Sequence, residues 1–433
     1  MIAQLLPKGA IRHSIAAKSR RLAVVLSLFG LISCEHPETG LVQVKSFQLS
    51  TQVPSLISGP HGQPAIAYVQ TEDSLDALRW ATWSGSEWLP ATDIVAVTNM
   101  LVNWADRPQV VFDEDGRGFA HWLEIDERGD FTYGISTTRS FDGGASWDGP
   151  SRPHRDTAVA EHGFGQWLTR PDGAVLVWLD GRDFDGHPDP AQARMELRAA
   201  EWPNGSDWEA EVVLDSSVCT CCPMDVARIN SEAFDVVYRD RTLEEVRDFS
   251  MIRYHVEGAN RQNDVAEGSG ANQVAATWEP LGILHEDGWE IAACPVNGAA
   301  IESNEHGTMA TWYTGAHDEA QILAAWRPAG QTSFGPTIRL DTRYPLGRVA
   351  MTQDQDGVLY AVWLETNETG GVDWVGMQWS ATGQPLQPEV LMAASERRVG
   401  GFPSLLGLED GALVAWTNPT PEPHVMTAVW KRQ

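Results

Sequence analysis

Residues 174–180 read AVLVWLD: six apolar residues in a row, Trp178 fifth, and Asp180 closing the run. Pro171, Asp172 and Gly173 precede it and Gly181 follows. A run this short, apolar and bounded by turn residues reads as a buried strand. The pattern recurs at 65–70 (AIAYVQ), 118–124 (GFAHWLE), 234–240 (FDVVYRD), 308–314 (TMATWYT), 359–365 (LYAVWLE) and 412–418 (ALVAWTN). Each copy follows a turn, glycine-bearing in all but the fourth, and an earlier short strand that opens on an anchor residue. The anchors are Pro54, Pro108, His162, Pro223, Pro295, Gly347 and Pro403. Successive strand-end aromatics lie 54, 56, 60, 74, 51 and 53 residues apart. A period of that size with four short strands per unit predicts an all-β chain, a seven-bladed β-propeller of four-stranded antiparallel blades. Six blades is the alternative if one repeat is degenerate. After Trp416 there is room for one more strand (424–431), and before Pro54 there is one (42–49). The N-terminal strand is therefore expected to complete the last blade and close the ring, which removes exposed sheet edges. An Asn-, Gly- and Ala-rich insertion near 256–275 reads as a loop of the fourth blade.

The third strand of the second repeat runs into Ser140-Phe141-Asp142-Gly143-Gly144-Ala145-Ser146-Trp147. The glycines permit positive φ, the Asp142 carboxylate can hold backbone N–H groups of the turn, and Trp147 can pack on the blade. Degenerate copies stand at 84–88 and 204–208. With Ser140, Asp142, Gly144 and Trp147 in place, this octapeptide matches the Asp-box, and residues 54–431 resemble the sialidase-like (BNR/Asp-box) propeller superfamily. In that superfamily the alternative ring is the six-bladed sialidase type. The resemblance implies a glycan-active possibility: an exo-α-sialidase type of glycoside hydrolase, with an arginine triad, a Tyr–Glu nucleophile and an acid/base Asp. The nearest match to the family's Arg-Ile-Pro motif is Ala105-Asp106-Arg107-Pro108, without the Ile. Arg107, Arg241 and Arg348 are the triad candidates, whereas Tyr238 and Tyr313 read as packing residues. Fold alone transfers no activity.

The N-terminus carries Lys8, Arg12, Lys18, Arg20 and Arg21 and no acid, then an apolar stretch at 22–33 ending in Leu31-Ile32-Ser33-Cys34. Twelve residues are too few to span a bilayer but suit a signal-peptide core. The small residues before Cys34 resemble a bacterial lipobox, which implies acylation of Cys34. The expected organisation is a signal peptide at 1–33, a lipidated tether at 34–41 and one propeller domain at 42–433. The chain is then a lipid-anchored protein of the cell envelope, in the outer membrane and facing the periplasm or exterior. More than one acyl chain anchors stably. The whole sequence has 59 acidic and 31 basic side chains, a formal charge of −28. That balance excludes binding nucleic acid or an anionic membrane through surface charge. The remaining partners are a small molecule, a glycan or a protein, and the chain is expected to be a monomer.

In a propeller of this strand order, residues just before each anchor converge with residues just after each strand-end aromatic. That face gathers Asp106, Arg107, Glu161, His162, Arg239, Asp240, Arg241 and Arg348. Asp106, Arg107, Glu161, Arg241 and Arg348 are candidate catalytic groups. Arg107, His162, Arg239, Asp240, Arg241 and Arg348 are candidate ligand contacts, since guanidinium groups suit a carboxylate or phosphate. The same face receives Cys219, Cys221 and Cys222 before Pro223, and Cys294 before Pro295. Cys222 and Cys294 occupy equivalent places on neighbouring blades, with His162 at the anchor before them. The cysteines admit two disulfides, a Cys222–Cys294 staple among them, in an oxidising compartment. They equally admit a soft metal such as copper or zinc, and redox-active thiols are a third reading. The VCTCC and CPVNG segments resemble those of a group of exported bacterial lipoproteins whose kinship with sialidases rests on fold. The expected function is a propeller lipoprotein that binds a small ligand or metal at its Cys/Arg-lined funnel. A glycoside hydrolase and a protein-interaction scaffold are the alternatives.

Overall fold

The computed structural model describes residues 40–130, 132–189, 192–256 and 276–433. The signal segment, Cys34 and most of the insertion of the fourth blade lie outside the described residues. Seven antiparallel sheets follow one another along the chain. Blade 1 spans 51–97, blade 2 109–140, blade 3 162–218, blade 4 225–285, blade 5 299–339 and blade 6 345–393. Blade 7 is built from Ser404–Gly407, Gly411–Asn418 and His424–Lys431, and the N-terminal strand Leu41–Leu49 pairs with the last of these. The ring therefore closes as the two chain ends predict. It has seven blades and not six. Six blades hold four strands each. Blade 2 has three, and its outer position is marked by a bridge between Thr137 and Ser151.

The second strand of each blade is sandwiched between its neighbours, which is why it reads as a continuous apolar run. In Gly173–Asp180 every residue is buried. Side chains alternate across a strand, so each run feeds two interfaces. Ala174, Leu176 and Trp178 pack toward blade 2 with Phe119 and Leu123. Val175, Val177 and Leu179 pack toward blade 4 with Phe234 and Val236. Seven such clusters occur, one at each junction between successive blades, including the junction of blades 7 and 1.

The Asp-box forms as its chemistry predicts. Ser146 donates to Asp142 through its backbone N–H (2.8 Å) and its hydroxyl (2.6 Å), and Ser140 Oγ receives the Gly144 N–H (2.9 Å). Gly144, at φ +81, comes so close to blade 1 that a Cβ would stand 2.6 Å from the Trp80 ring. Trp147 meets Phe112 edge-on, with ring centroids 6.1 Å apart. The seven first strands line a central channel of about 500 Å³, to which Ser55, Gln109, Gln166, Asp225, Ala300, Met351 and Ser404 contribute one from each blade. Among the described residues no helix is long and apolar enough to cross a membrane.

Candidate functional site: a thiol cluster beside buried carboxyl groups

Two successive connections between blades meet at the funnel mouth. The first leaves the outer strand of blade 3, Val212–Val218, and carries Cys219, Cys221 and Cys222 into blade 4. It is fixed at its start by a hydrogen bond from Cys219 N–H to Arg239 O, 2.9 Å. The second carries Cys294 from blade 4 into blade 5. The sulfurs of Cys219, Cys221 and Cys222 all lie within 4.8 Å of one another. Cys219 Sγ is 3.9 Å from Cys221 Sγ and 3.3 Å from Cys222 Sγ. Cys294 contacts Cys221 sulfur to sulfur and lies 3.7 Å from Thr220 Oγ1. Cys219 and Cys222 are buried, Cys221 is half-buried, and Cys294 is exposed.

All four are free thiols. Cys219 and Cys222, at 3.3 Å, stand well beyond the about 2.05 Å of a disulfide bond. The Cys222–Cys294 staple expected from blade equivalence does not form. Cys222 turns inward onto Cys219, and the thiol that Cys294 meets is Cys221. The electrostatics are uneven. Hydrogen bonds from Cys221 and Cys222, and then the Arg239 charge, hold Cys219 well below the ordinary thiol range. Arg247 Nη1 adds a bond to the same sulfur at 3.3 Å. Donating to Cys219 pushes Cys221 up, and burial pushes Cys222 up to about 12. A hydrogen bond from Cys221 brings Cys294 down to about 6.

A second group adjoins the thiols. Asp106 is buried, and its Oδ1 accepts the Phe164 N–H at 2.7 Å. Its carboxylate also interacts with the side chain of Tyr133. Burial, with the Glu161 charge adding to it, raises Asp106 to about 7. Burial and then the Cys294 charge raise Glu161 to about 7. Tyr133 is pushed well up by burial and then by both carboxylates. Asp106 and Glu161 were candidates from the sequence, but Tyr133 was not. It opens the third strand of blade 2, Tyr133–Ser140, opposite Ile125 at the end of the second. A third strand starts on the face where a second strand stops, and that rule would have found it.

His162 joins a different group. Its ring stacks on His154 at 4.0 Å, and its Nε2 lies 3.1 Å from Asp156 Oδ2. His154, Asp156 and His162 offer three atoms within 4.8 Å of one another. Arg182 Nη2, however, sits 3.1 Å from the same Asp156 oxygen and pairs with Asp180 and Glu211. A guanidinium there supplies the cation, and parallel rings cannot both aim lone pairs at one ion.

The arginines are tied to the fold. Arg239 donates to the carbonyls of Asn297 (3.0 and 3.2 Å), Arg247 (2.6 Å) and Tyr313 (2.9 Å), with its guanidinium over the Phe249 ring. Arg348 donates to the carbonyls of Glu396, Arg397 and Gly401 and lies over Trp104. Arg107 reaches Pro54 O at 3.1 Å, and burial lowers it to about 10. Arg241 is paired with Glu245, and Asp240 accepts from Ser250 Oγ at 2.9 Å. Arg107, Arg241 and Arg348 thus each answer to a separate set of partners.

No protein-family model matches the chain, and no curated protein matches it. Solved structures do. The BP39L lectin from Burkholderia pseudomallei aligns at TM-score 0.56 and 12% identity, over 90% of this chain and 98% of the lectin. A polysaccharide lyase of the PL25 ulvan lyase family aligns at TM-score 0.51 and 9% identity, over 90% of this chain and 96% of the lyase. The same kind of lyase bound to -[GlcA(1-4)Rha3S]- aligns at 0.51 and 10%, with the same coverage. At these identities the likeness is one of fold. The chain is a β-propeller, similar in architecture to lectin and lyase propellers.

Proposed function

We propose that this chain is a lipid-anchored envelope propeller that holds one soft metal ion, Cu(I) or Zn²⁺, through Cys219, Cys221, Cys222 and Cys294. The carrying observation is that two successive blade connections bring these sulfurs together, three of them within 4.8 Å of one another. Four thiolates at about 2.3 Å from a tetrahedral ion stand about 3.7 Å apart. The 3.3 and 3.9 Å separations bracket that value. Arg247, donating to Cys219 and paired with Glu245, offsets part of the thiolate charge and orients the sulfur. Soft sulfur donors select these ions over Mg²⁺ or Ca²⁺. Acyl chains on Cys34 would hold the disc at the outer membrane. The test is metal analysis of the full-length chain in detergent. One equivalent of copper or zinc is expected, lost in Cys221→Ser. A chain that neither retains nor takes up either ion after reduction overturns the reading.

Asp106, Tyr133 and Glu161 favour a second reading. Two carboxyl groups raised to about 7 beside a tyrosine supply proton donors and acceptors at neutral pH. A glycan is the substrate class, as for the exo-α-sialidase type and for the lyase seen with a sugar. Turnover of sialosides or uronic-acid polymers that vanishes in Tyr133→Phe, with metal content unchanged, is the result that favours it.

A further inference from the structure

The four thiols are graded in depth, and each touches the next. Cys294 is exposed, Cys221 is half-buried, and Cys219 and Cys222 are each 1% exposed. Cys294 meets Cys221, Cys221 lies 3.9 Å from Cys219, and Cys219 lies 3.3 Å from Cys222. Cys219 and Cys222 also stand in a C-x-x-C spacing. A metal accounts for three sulfurs gathered around a point; it does not require a fourth thiol at the surface and two in the core.

We infer that the cluster is a thiol–disulfide relay in which Cys294 reacts with an external disulfide and the oxidation passes inward to Cys219 and Cys222. The inference does not rest on the metal, because it concerns the reduced, metal-free chain. In the first step the Cys294 thiolate attacks one sulfur of a disulfide R–S–S–R. The S–S bond breaks, a Cys294–S–S–R bond forms, and R–S⁻ leaves. Cys221 then attacks the Cys294 sulfur, its proton going to a departing thiolate. A Cys221–Cys294 disulfide forms and the second R–SH leaves. One external disulfide has been reduced to two thiols, and two protein thiols have become one disulfide.

The interior pair takes over from there. The Cys219 thiolate attacks Cys221 and frees Cys294, and Cys222 attacks Cys219 and frees Cys221. The disulfide now lies between Cys219 and Cys222, and the outer thiols are ready for a second external disulfide. Four thiols thus deliver four electrons as two pairs. Arg247 Nη1 on Cys219 Sγ, at 3.3 Å, stabilises that sulfur as the thiolate whenever it attacks or leaves. Thr220 Oγ1, 3.7 Å from Cys294 Sγ, is placed to do the same at the surface.

The test uses the full-length chain in detergent, reduced and freed of metal with a chelator. It is treated with oxidised glutathione in one arm and with insulin, which carries accessible disulfides, in the other. Four equivalents of glutathione are expected to be released, with Cys219–Cys222 and Cys221–Cys294 found by peptide mapping. In Cys221→Ser the glutathione adduct should accumulate on Cys294 alone. Cys294→Ser, at an exposed position that leaves the fold intact, should slow the first step at least about tenfold. Reaction of glutathione alone identifies a small disulfide as substrate, and reaction of insulin identifies a protein disulfide. The relay is overturned if neither arm reacts, if Cys294→Ser reacts as fast as the parent, or if adducts spread over all four cysteines. The chelator keeps this outcome separate from that of the metal analysis.

Discussion

A methyl group on Gly163 would stand 2.0 Å from Asp106 Oδ2 and 2.8 Å from Tyr133 Cε2. The first strand of blade 3 therefore lies directly against the carboxylate that the connection into blade 2 supplies. Only hydrogen at this Cα lets Asp106 reach the Phe164 N–H at 2.7 Å. Gly163→Ala should destabilise the chain by about 2–4 kcal/mol, the range for overpacking a buried site. Combined with Asp106→Ala it should cost less than the two single substitutions added together, since the clash then has no partner. Denaturant unfolding of the four chains measures this. Simple additivity would show that the contact is not the cause.

Asp235 sits in the second strand of blade 4 and is wholly buried. It accepts from Arg253 at 2.5 and 2.8 Å and from Arg327, which reaches across from blade 5 and also donates to Thr308. Removing one member leaves a buried charge without its partner, which costs about 3–5 kcal/mol. Asp235→Ala should therefore lower stability by about that amount, because it strands Arg327. Arg327→Met should cost less, since Arg253 still answers Asp235. Equal losses in thermal unfolding would show that Arg253 alone does not compensate Asp235.

The ring was legible because burial on both faces of a strand leaves a mark in composition. Ala174, Leu176 and Trp178 serve one neighbour and Val175, Val177 and Leu179 the other, so no polar residue interrupts the run. The meeting of the Cys219–Cys222 segment with Cys294 was legible for the same reason, since anchors count blades. Which sulfur faces which was not. Thiol direction in a turn depends on backbone angles that leave no trace in residue type, and so Cys294 was matched with Cys222 instead of Cys221. The arginines misled in another way. Arg239 and Arg348 are answered by backbone carbonyls, which every residue carries and no sequence pattern displays. Tyr133 opens a third strand, a position marked neither by the anchors nor by the strand-end aromatics of the repeat.

Burial, with the Asp225 charge adding to it, raises Glu302, in the first strand of blade 5, to about 8. An acid whose folded pKa exceeds its unfolded value holds its proton better when folded. Its stabilising effect is complete below about pH 4.5 and is lost as the pH rises toward 8. Glu302→Gln keeps the contact with Gln353 Nε2, 3.0 Å away, and cannot ionise. Its Tm should match the parent's near pH 4 and exceed it at pH 8. Discounting for solvent screening of a half-buried carboxyl, the gain is about 1–2 kcal/mol, or a few degrees. Parallel Tm curves from pH 4 to 8 would show that Glu302 does not titrate in this way.

Arg239 and Arg348 should behave as parts of the frame. Each satisfies three carbonyl oxygens, those of Arg348 all in the connection from blade 6 to blade 7, and covers an aromatic ring. Arg239→Met or Arg348→Met leaves those buried acceptors unanswered, at about 1–3 kcal/mol for each uncompensated group. The expected readout is a fall in Tm of several degrees; metal content and thiol reactivity should be unchanged in folded Arg348→Met, whereas Arg239→Met also removes a charge that lowers Cys219. Cys221→Ser should show the reverse: metal lost and the metal-free Tm nearly unaltered, because a half-buried thiol is exchanged for a hydroxyl of similar shape. The two kinds of substitution thus separate the frame of the funnel from its chemistry. A folded Arg348→Met chain that loses metal would move that guanidinium from the first group to the second.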